Sequence, residues 1–207
     1  DLGRRYHVEQ VFKPYPGGKP THAPTDAALT LARRHDLDVD DIEEVLLRLS
    51  PPATAVHYAK PYVVGDYPTM NALWSYYFTV ASALVRKRSV NESFMPESIL
   101  DPHVQALVRK VKLGHLDKPA GVELEVRMKD GRRLSEYVAV ASGEPSNAMS
   151  RDQLAAKFMH QLRFSGLVGE KAAEELVALV DELEQVDDVR VIAKLAAGKQ
   201  TASWEQE

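Results

Sequence analysis

The sequence predicts an α+β fold: a small antiparallel or mixed sheet with helices packed on it, followed by an all-helical tail. Three observations carry this. Two alternating runs, Gly121–Met128 and Leu134–Val140, flank Asp130-Gly131, and an Asp-Gly pair between such runs is a strong hairpin signal. Apolar residues at helical spacing recur between Ala27 and Leu84. Beyond Ser150 every periodic stretch is helical. The chain therefore divides into an α+β portion over residues 1–142 and a helical tail over 143–207. Internal repeats and low-complexity tracts are absent.

Taken in order, Val8, Val11 and Phe12 alternate with polar residues and read as a strand that hands directly to Lys13. The loop that follows, Pro14-Tyr15-Pro16-Gly17-Gly18-Lys19-Pro20, holds three prolines and two glycines. Proline fixes φ and glycine permits positive φ, so the loop is expected to hold one shape. It delivers Thr21 and His22 to a helix marked by Ala27, Ala28, Leu29, Leu31 and Ala32 and running to about Arg34. Asp38-Val39-Asp40-Asp41 leads into Ile42–Leu49, read as a strand, although its length alone also permits a helix turn. Pro51-Pro52 ends it. Residues 53–68 are loop-like. Met70–Val85 reads as one helix, with Leu73, Tyr77, Val80, Ala81 and Leu84 near one face.

Asn91 and Asp101-Pro102 each mark a helix start, the second with proline at the first helical position. Val104, Leu107, Val108 and Val111 form the apolar stripe that follows. Gly143-Glu144-Pro145-Ser146-Asn147 reads as a linker. Ser150-Arg151-Asp152-Gln153 has capping-box spacing and opens a helix with Leu154, Phe158 and Leu162 on one face. Ala173, Leu176, Val177, Val180 and Leu183 make a second tail helix, and Val189–Leu195 a short third. A helical stripe needs a surface to bury against. The tail helices either pack on one another or return to a helical domain outside this chain.

Composition narrows the function classes. The 207 residues are 44% hydrophobic and 27% charged, with a net charge of −4, which fits an ordinary core and a solvated surface. The longest basic block is Arg86-Lys87-Arg88, so a nucleic-acid partner is not expected. The most apolar run, Phe78–Val85, is far short of the ~20 residues of a membrane helix. Cysteine is absent, which removes disulfides, thiolate metal sites and thiol catalysis. A cytoplasmic location is expected. The chain opens on Asp1 in mid-pattern rather than on methionine, which fits a fragment, a single excised domain or a chain cut from a longer one.

Lys13 is the leading candidate for chemistry. A cationic side chain beside the unpaired N–H groups of a helix start suits a carboxylate, and points to an organic acid. The same lysine also fits a solvated charge at a strand end. His22, in the first helical turn, suits carboxylate binding or acid–base work near neutral pH, or else simply packs there. The other histidines lack metal-ligand spacing. Asp38/Asp40/Asp41 and Asp187/Asp188 lack the calcium-loop pattern. The concentration of Tyr58, Tyr62, Tyr67, Tyr76 and Tyr77 suits a ligand cleft or a protein interface, the interface being favoured for the loop tyrosines and the cleft for Tyr76 or Tyr77.

Four segments in order resemble one family. They are Lys13-Pro14-Tyr15-Pro16 with Thr21-His22 and Asp26-Ala27-Ala28-Leu29; Trp74-Ser75-Tyr76-Tyr77-Phe78; Phe94 with Ile99-Leu100-Asp101-Pro102-His103-Val104; and Gly143–Asn147 with Ser150 and Lys157-Phe158. Together they resemble the MmgE/PrpD family, which includes 2-methylcitrate dehydratases, cis-aconitate decarboxylases and an iminodisuccinate epimerase. The resemblance implies a lid domain plus a C-terminal tail. The tail would return to a helical domain whose N-terminal half is absent from this chain. It further implies a metal-independent, cofactor-free, homodimeric enzyme for a small di- or tricarboxylic acid.

Lys13 matches the family's lid lysine and is expected to be catalytic. Lys13, His22, Gly17 and Gly18 are expected to bind substrate. The family's site tyrosine pairs with Phe78, which has no hydroxyl, and the adjacent Tyr77 is the catalytic candidate in its place. Gly17-Gly18 stand where cysteine or histidine is common. The activity implied first is elimination of water of the 2-methylcitrate type. A decarboxylase, an epimerase, or a binding or assembly module without activity are the alternatives. The isolated chain is expected to be inactive.

Overall fold

The alternating runs build a four-stranded mixed sheet, seen in a computed structural model that describes residue 4 and residues 10–51 and 57–198. Strands β1 (Ile42–Leu49), β2 (Val111–His115), β3 (Val122–Met128) and β4 (Arg133–Val138) lie in the order β2-β1-β3-β4. β1 runs parallel to β2 and antiparallel to β3, and β3 pairs antiparallel with β4. The predicted hairpin is present, with Gly131 at φ 87° in its turn. The fold class is α+β, as the sequence predicts.

One face of the sheet is apolar and the other charged, as the period-2 pattern requires. Val45, Leu47 and Leu49 of β1 lie opposite Val126, Leu124 and Val122 of β3, and all six are buried. On the other face Arg48 bridges Glu123 at 2.9 Å and Glu125 at 3.1 Å, while Arg127 pairs with Glu43.

Helices cover the apolar face. α1 (His22–Arg34) contacts β3 and β4 and packs along α3 (Tyr76–Arg86). Ala27, Ala28 and Ala32 on α1 and Ala81 and Ala83 on α3 are fully buried, and small side chains let two helix backbones approach closely. The path from β1 to β2 carries α2 (Pro68–Leu73), α3, α4 (Pro96–Ile99) and α5 (Pro102–Val108).

Four local expectations are revised. Gln10–Lys13 forms no strand; among the described residues its backbone pairing is one bond, from the Phe12 amide to the Gly143 carbonyl at 3.0 Å, and Val8 lies outside the described residues. Met70–Val85 is not one helix but α2 and α3, broken at Trp74-Ser75. Two interactions explain the break. The Leu73 carbonyl accepts from the Gly18 amide at 3.3 Å, and Ser75 is extended and accepts from the Phe78 amide as the α3 N-cap. Asn91–Phe94 is a 3-10 turn. Val111 is not on the α5 stripe: α5 ends at Val108, and Val111 opens β2.

The chain separates into two compact units, the first ending at Met149 and the second beginning at Ser150. The segment read as a linker is tied to the first unit. Gly143 is buried, receives Phe12, and donates its own amide to the Asn147 carbonyl at 2.9 Å. The second unit contains α6 (Arg151–Ser165), α7 (Glu170–Asp181) and α8 (Arg190–Ala196). Ser150 and Gln153 complete the predicted capping box. Ala173 and Leu176 are its buried apolar residues among those described, whereas Phe164, Val180, Leu183 and Val189 are exposed. Among the described residues no helix is long and apolar enough to cross a membrane.

Candidate functional site

The loop from Lys13 to Lys19 is fixed at several points. Pro14 and Pro16 restrict φ, and Gly17 turns the chain at φ 103°, a region that favours glycine. A Cβ on Gly17 would also sit 2.8 Å from the Leu73 carbonyl oxygen. Beyond the bend, a 3-10 turn over Lys19–Thr21 leads into α1. Both the amide and the hydroxyl of Thr21 donate to the Gly18 carbonyl, at 3.0 and 2.8 Å.

Lys13 is exposed, and its ammonium donates to the Gly17 carbonyl at 3.0 Å. This bond folds the side chain back across the bend it opens. An ammonium has three donors, and one is engaged there. Lys19 forms an ion pair with Glu144 at 2.8 Å. Lys13 thus lies against Gly17, with Gly18 next in the chain.

His22 lies beneath the loop rather than on its surface. It is 1% exposed, with its ring edge-on to Tyr15 at 5.8 Å between centroids. Tyr15 in turn donates to Asp26 at 2.7 Å. Burial and the neighbouring Asp26 carboxylate push the Tyr15 hydroxyl well above its usual pKa.

Phe78 is fully buried between the rings of Tyr62 and Phe94, at 5.3 and 5.7 Å. Tyr77 is half-buried against the same core, and burial raises its pKa. Successive helix residues are separated by about 100°, so the Tyr77 hydroxyl does not occupy the direction that Phe78 takes.

The tyrosine hydroxyl that the fold does bring to the loop belongs to Tyr58. A Cβ built on Gly18 would lie 2.2 Å from the Tyr58 hydroxyl oxygen. The Tyr58 ring stacks on Trp74 at 5.8 Å and 19°, and lies 5.8 Å from the ring of Tyr76. Tyr76 is buried, and burial, with Tyr58 nearby, raises its pKa to about 12. Beside this cluster is a cleft of about 150 Å³ lined in part by His57, Lys60, Tyr62, Asn71, Trp74 and Ser75. Lys60 is its cation, while the Asn71 amide donates to the Val64 carbonyl at 3.0 Å, the Ser75 hydroxyl caps α3 and the Trp74 ring is stacked on Tyr58. Sequence reasoning missed Lys60, Asn71 and the Gly18–Tyr58 contact. The contact joins residues forty positions apart, and no periodicity reports it. Among the described residues, no cluster of histidine and acidic side chains is arranged to hold a metal ion.

Two comparisons show what the chain is similar to. The family profile described as the MmgE/PrpD C-terminal domain matches residues 15–185, and the chain belongs to that family. It is 27% identical over 200 residues to a cis-aconitate decarboxylase from Mus musculus, an alignment covering 91% of this chain and 39% of the relative. The chain therefore spans about two fifths of the length of that relative.

Proposed function

We propose that the chain is the substrate-closing portion of a lyase acting on a small di- or tricarboxylic acid, with Lys13 as its cationic contact. The single observation behind this is the Lys13 ammonium, held on the Gly17 carbonyl at 3.0 Å by a loop whose shape prolines and a positive-φ glycine dictate. Removal of water and removal of carbon dioxide from such acids share one requirement. Negative charge develops beside a carboxylate, and a cation or a proton donor must stabilise it. Elimination of water from a 2-methylcitrate-like substrate is one form of this chemistry. Decarboxylation is the second, and the activity of the mouse relative favours it.

The family match is to a C-terminal domain, and the remaining acid–base groups would come from outside residues 1–207 of this sequence. The assembled enzyme would be a homodimer. Buried His22 would serve by supporting the loop through Tyr15. Lys13 would pair with one carboxylate of the substrate, while the Lys60 cleft offers a second cation.

The test is product analysis. The chain, combined with an N-terminal helical domain of the same family, is supplied with 2-methylcitrate, cis-aconitate and related acids. Release of carbon dioxide or formation of the dehydrated acid supports the reading. An assembled protein inert to the whole panel would leave a binding or assembly module as the better description.

A further inference from the structure

Gly18 has an ordinary extended backbone, φ −76° and ψ 145°, which any residue adopts. Its glycine is therefore not required by its own conformation, in contrast with Gly17 at φ 103°. What requires it is Tyr58. A Cβ at position 18 would meet the hydroxyl oxygen, Cε1 and Cζ of that ring at 2.2, 2.4 and 2.5 Å. The phenol of Tyr58 thus fills the space into which a side chain at position 18 would project. It is held there from behind by its stack on Trp74 and by the Tyr76 ring. Lys13 grips the other half of the same glycine pair through the Gly17 carbonyl. A phenol and an ammonium accordingly bracket Gly17-Gly18.

We infer that Tyr58 is a substrate-positioning residue: its hydroxyl donates a hydrogen bond to a carboxylate of the di- or tricarboxylic acid that Lys13 holds. This rests on the lyase reading of the same site and adds a residue and a direction of approach to it. A hydroxyl from the 3-10 turn His57–Ala59 and an ammonium from the Lys13 loop thus meet at one glycine pair, and two donors from two segments suit an acid with more than one carboxylate. Gly18 and Tyr58 form a matched pair, so altering either disturbs the same contact.

The experiment uses the reporter already in the cluster. Trp74 and Trp204 are the two tryptophans, and Trp204→Phe leaves Trp74, stacked on Tyr58, as the single emitter. The chain is titrated with cis-aconitate and with citrate, and the emission change gives the dissociation constant. Saturable binding is expected. Tyr58→Phe keeps the ring stack and removes only the hydroxyl, and it is expected to weaken binding about tenfold, the lower range for a hydrogen bond to a charged group, with an unchanged unfolding midpoint. Gly18→Ala, which displaces the ring, is expected to weaken binding as well. Gly18→Ala with Tyr58→Phe should be no weaker than Gly18→Ala alone, the non-additivity of residues sharing one contact. Equal affinities for Tyr58→Phe and the unaltered tyrosine, with Lys13→Ala weakened, would overturn the role of Tyr58 and leave the lyase reading standing. Absence of saturable binding before any change at Lys13, Gly18 or Tyr58 would overturn the role of Tyr58, while turnover by the assembled protein decides the lyase reading.

Discussion

The Tyr15 hydroxyl donates to one oxygen of Asp26 at 2.7 Å, and the other oxygen accepts the Ser142 amide at the same distance. One carboxylate on α1 thereby joins the loop that opens the first unit to the segment that closes it. The Phe12–Gly143 backbone bond and the Lys19–Glu144 ion pair repeat the connection alongside. The position of Lys13 thus depends on contacts made 130 residues later in the chain.

Removing that carboxylate should be felt as lost stability. Asp26→Ala leaves a part-buried phenol and an amide without their acceptor, and about 2 kcal/mol of destabilisation is expected. Urea unfolding of the two proteins side by side measures it. A change below about 0.5 kcal/mol, the range of ordinary surface substitutions, would contradict the joining role.

Gly17→Ala introduces both an unfavourable φ and a contact of 2.8 Å with a backbone oxygen. The left-handed backbone alone costs a non-glycine residue about 1–2 kcal/mol. Gly17→Ala should therefore unfold at a lower denaturant concentration, and Gly131→Ala, whose Cβ meets nothing within 4 Å, should lose less.

Phe78→Tyr tests whether the residue class expected at that position restores anything here. Phe78 is fully buried between two aromatic rings, so the added hydroxyl enters an apolar environment. A loss of about 1–3 kcal/mol is expected, with no gain in ligand affinity. Retained stability together with tighter ligand binding would show that the hydroxyl reaches the site.

Alkaline pH should destabilise the fold through its tyrosines. Tyr76 has a pKa of about 12 in the folded state against 10.0 for an unperturbed tyrosine. Below pH 10 both states carry the proton, and the contribution is constant. Between pH 10 and about 12 the unfolded state releases it first, so stability falls as pH rises. Unfolding midpoints measured across this window should drop less steeply in Tyr76→Phe than with Tyr76 in place.

Much of the architecture was legible. The β3–β4 hairpin followed from alternation around Asp130-Gly131, the extent of α1 from small-residue spacing, and the start of α6 from its capping box. The failures share a physical cause. Met70–Val85 carries an unbroken helical stripe, but the carbonyl of Leu73 is drawn off by Gly18, a tertiary hydrogen bond that no local pattern encodes. Val111 continues the spacing of α5, yet it pairs with Val45 of β1, which periodicity over five residues cannot distinguish. At the site, Lys13, Gly17 and Gly18 lie within six residues of one another in the sequence, whereas the contact of Tyr58 with Gly18 and the placing of Lys60 beside Trp74 arise only through the fold.

The tail predicts association. Val180 and Val189 are 57% and 60% exposed, and α6 and α7 form an apolar groove that includes Leu154, Phe158, Leu176 and Val177. Exposed apolar patches of this kind mark interaction surfaces. Size-exclusion chromatography of the isolated chain should show concentration-dependent self-association that Val180→Asp reduces. A compact monomer at all concentrations would contradict it.

The most direct measurement of the central claim is turnover by Lys13→Ala. In the assembled protein, on whichever acid the unaltered chain converts, the rate should fall by at least about a hundredfold, the scale of one acid–base or charge-stabilising group. The unfolding midpoint should stay unchanged, since Lys13 is exposed and makes its hydrogen bond to Gly17 at the surface. Full turnover by stably folded Lys13→Ala would contradict the assignment of Lys13 as the cationic contact.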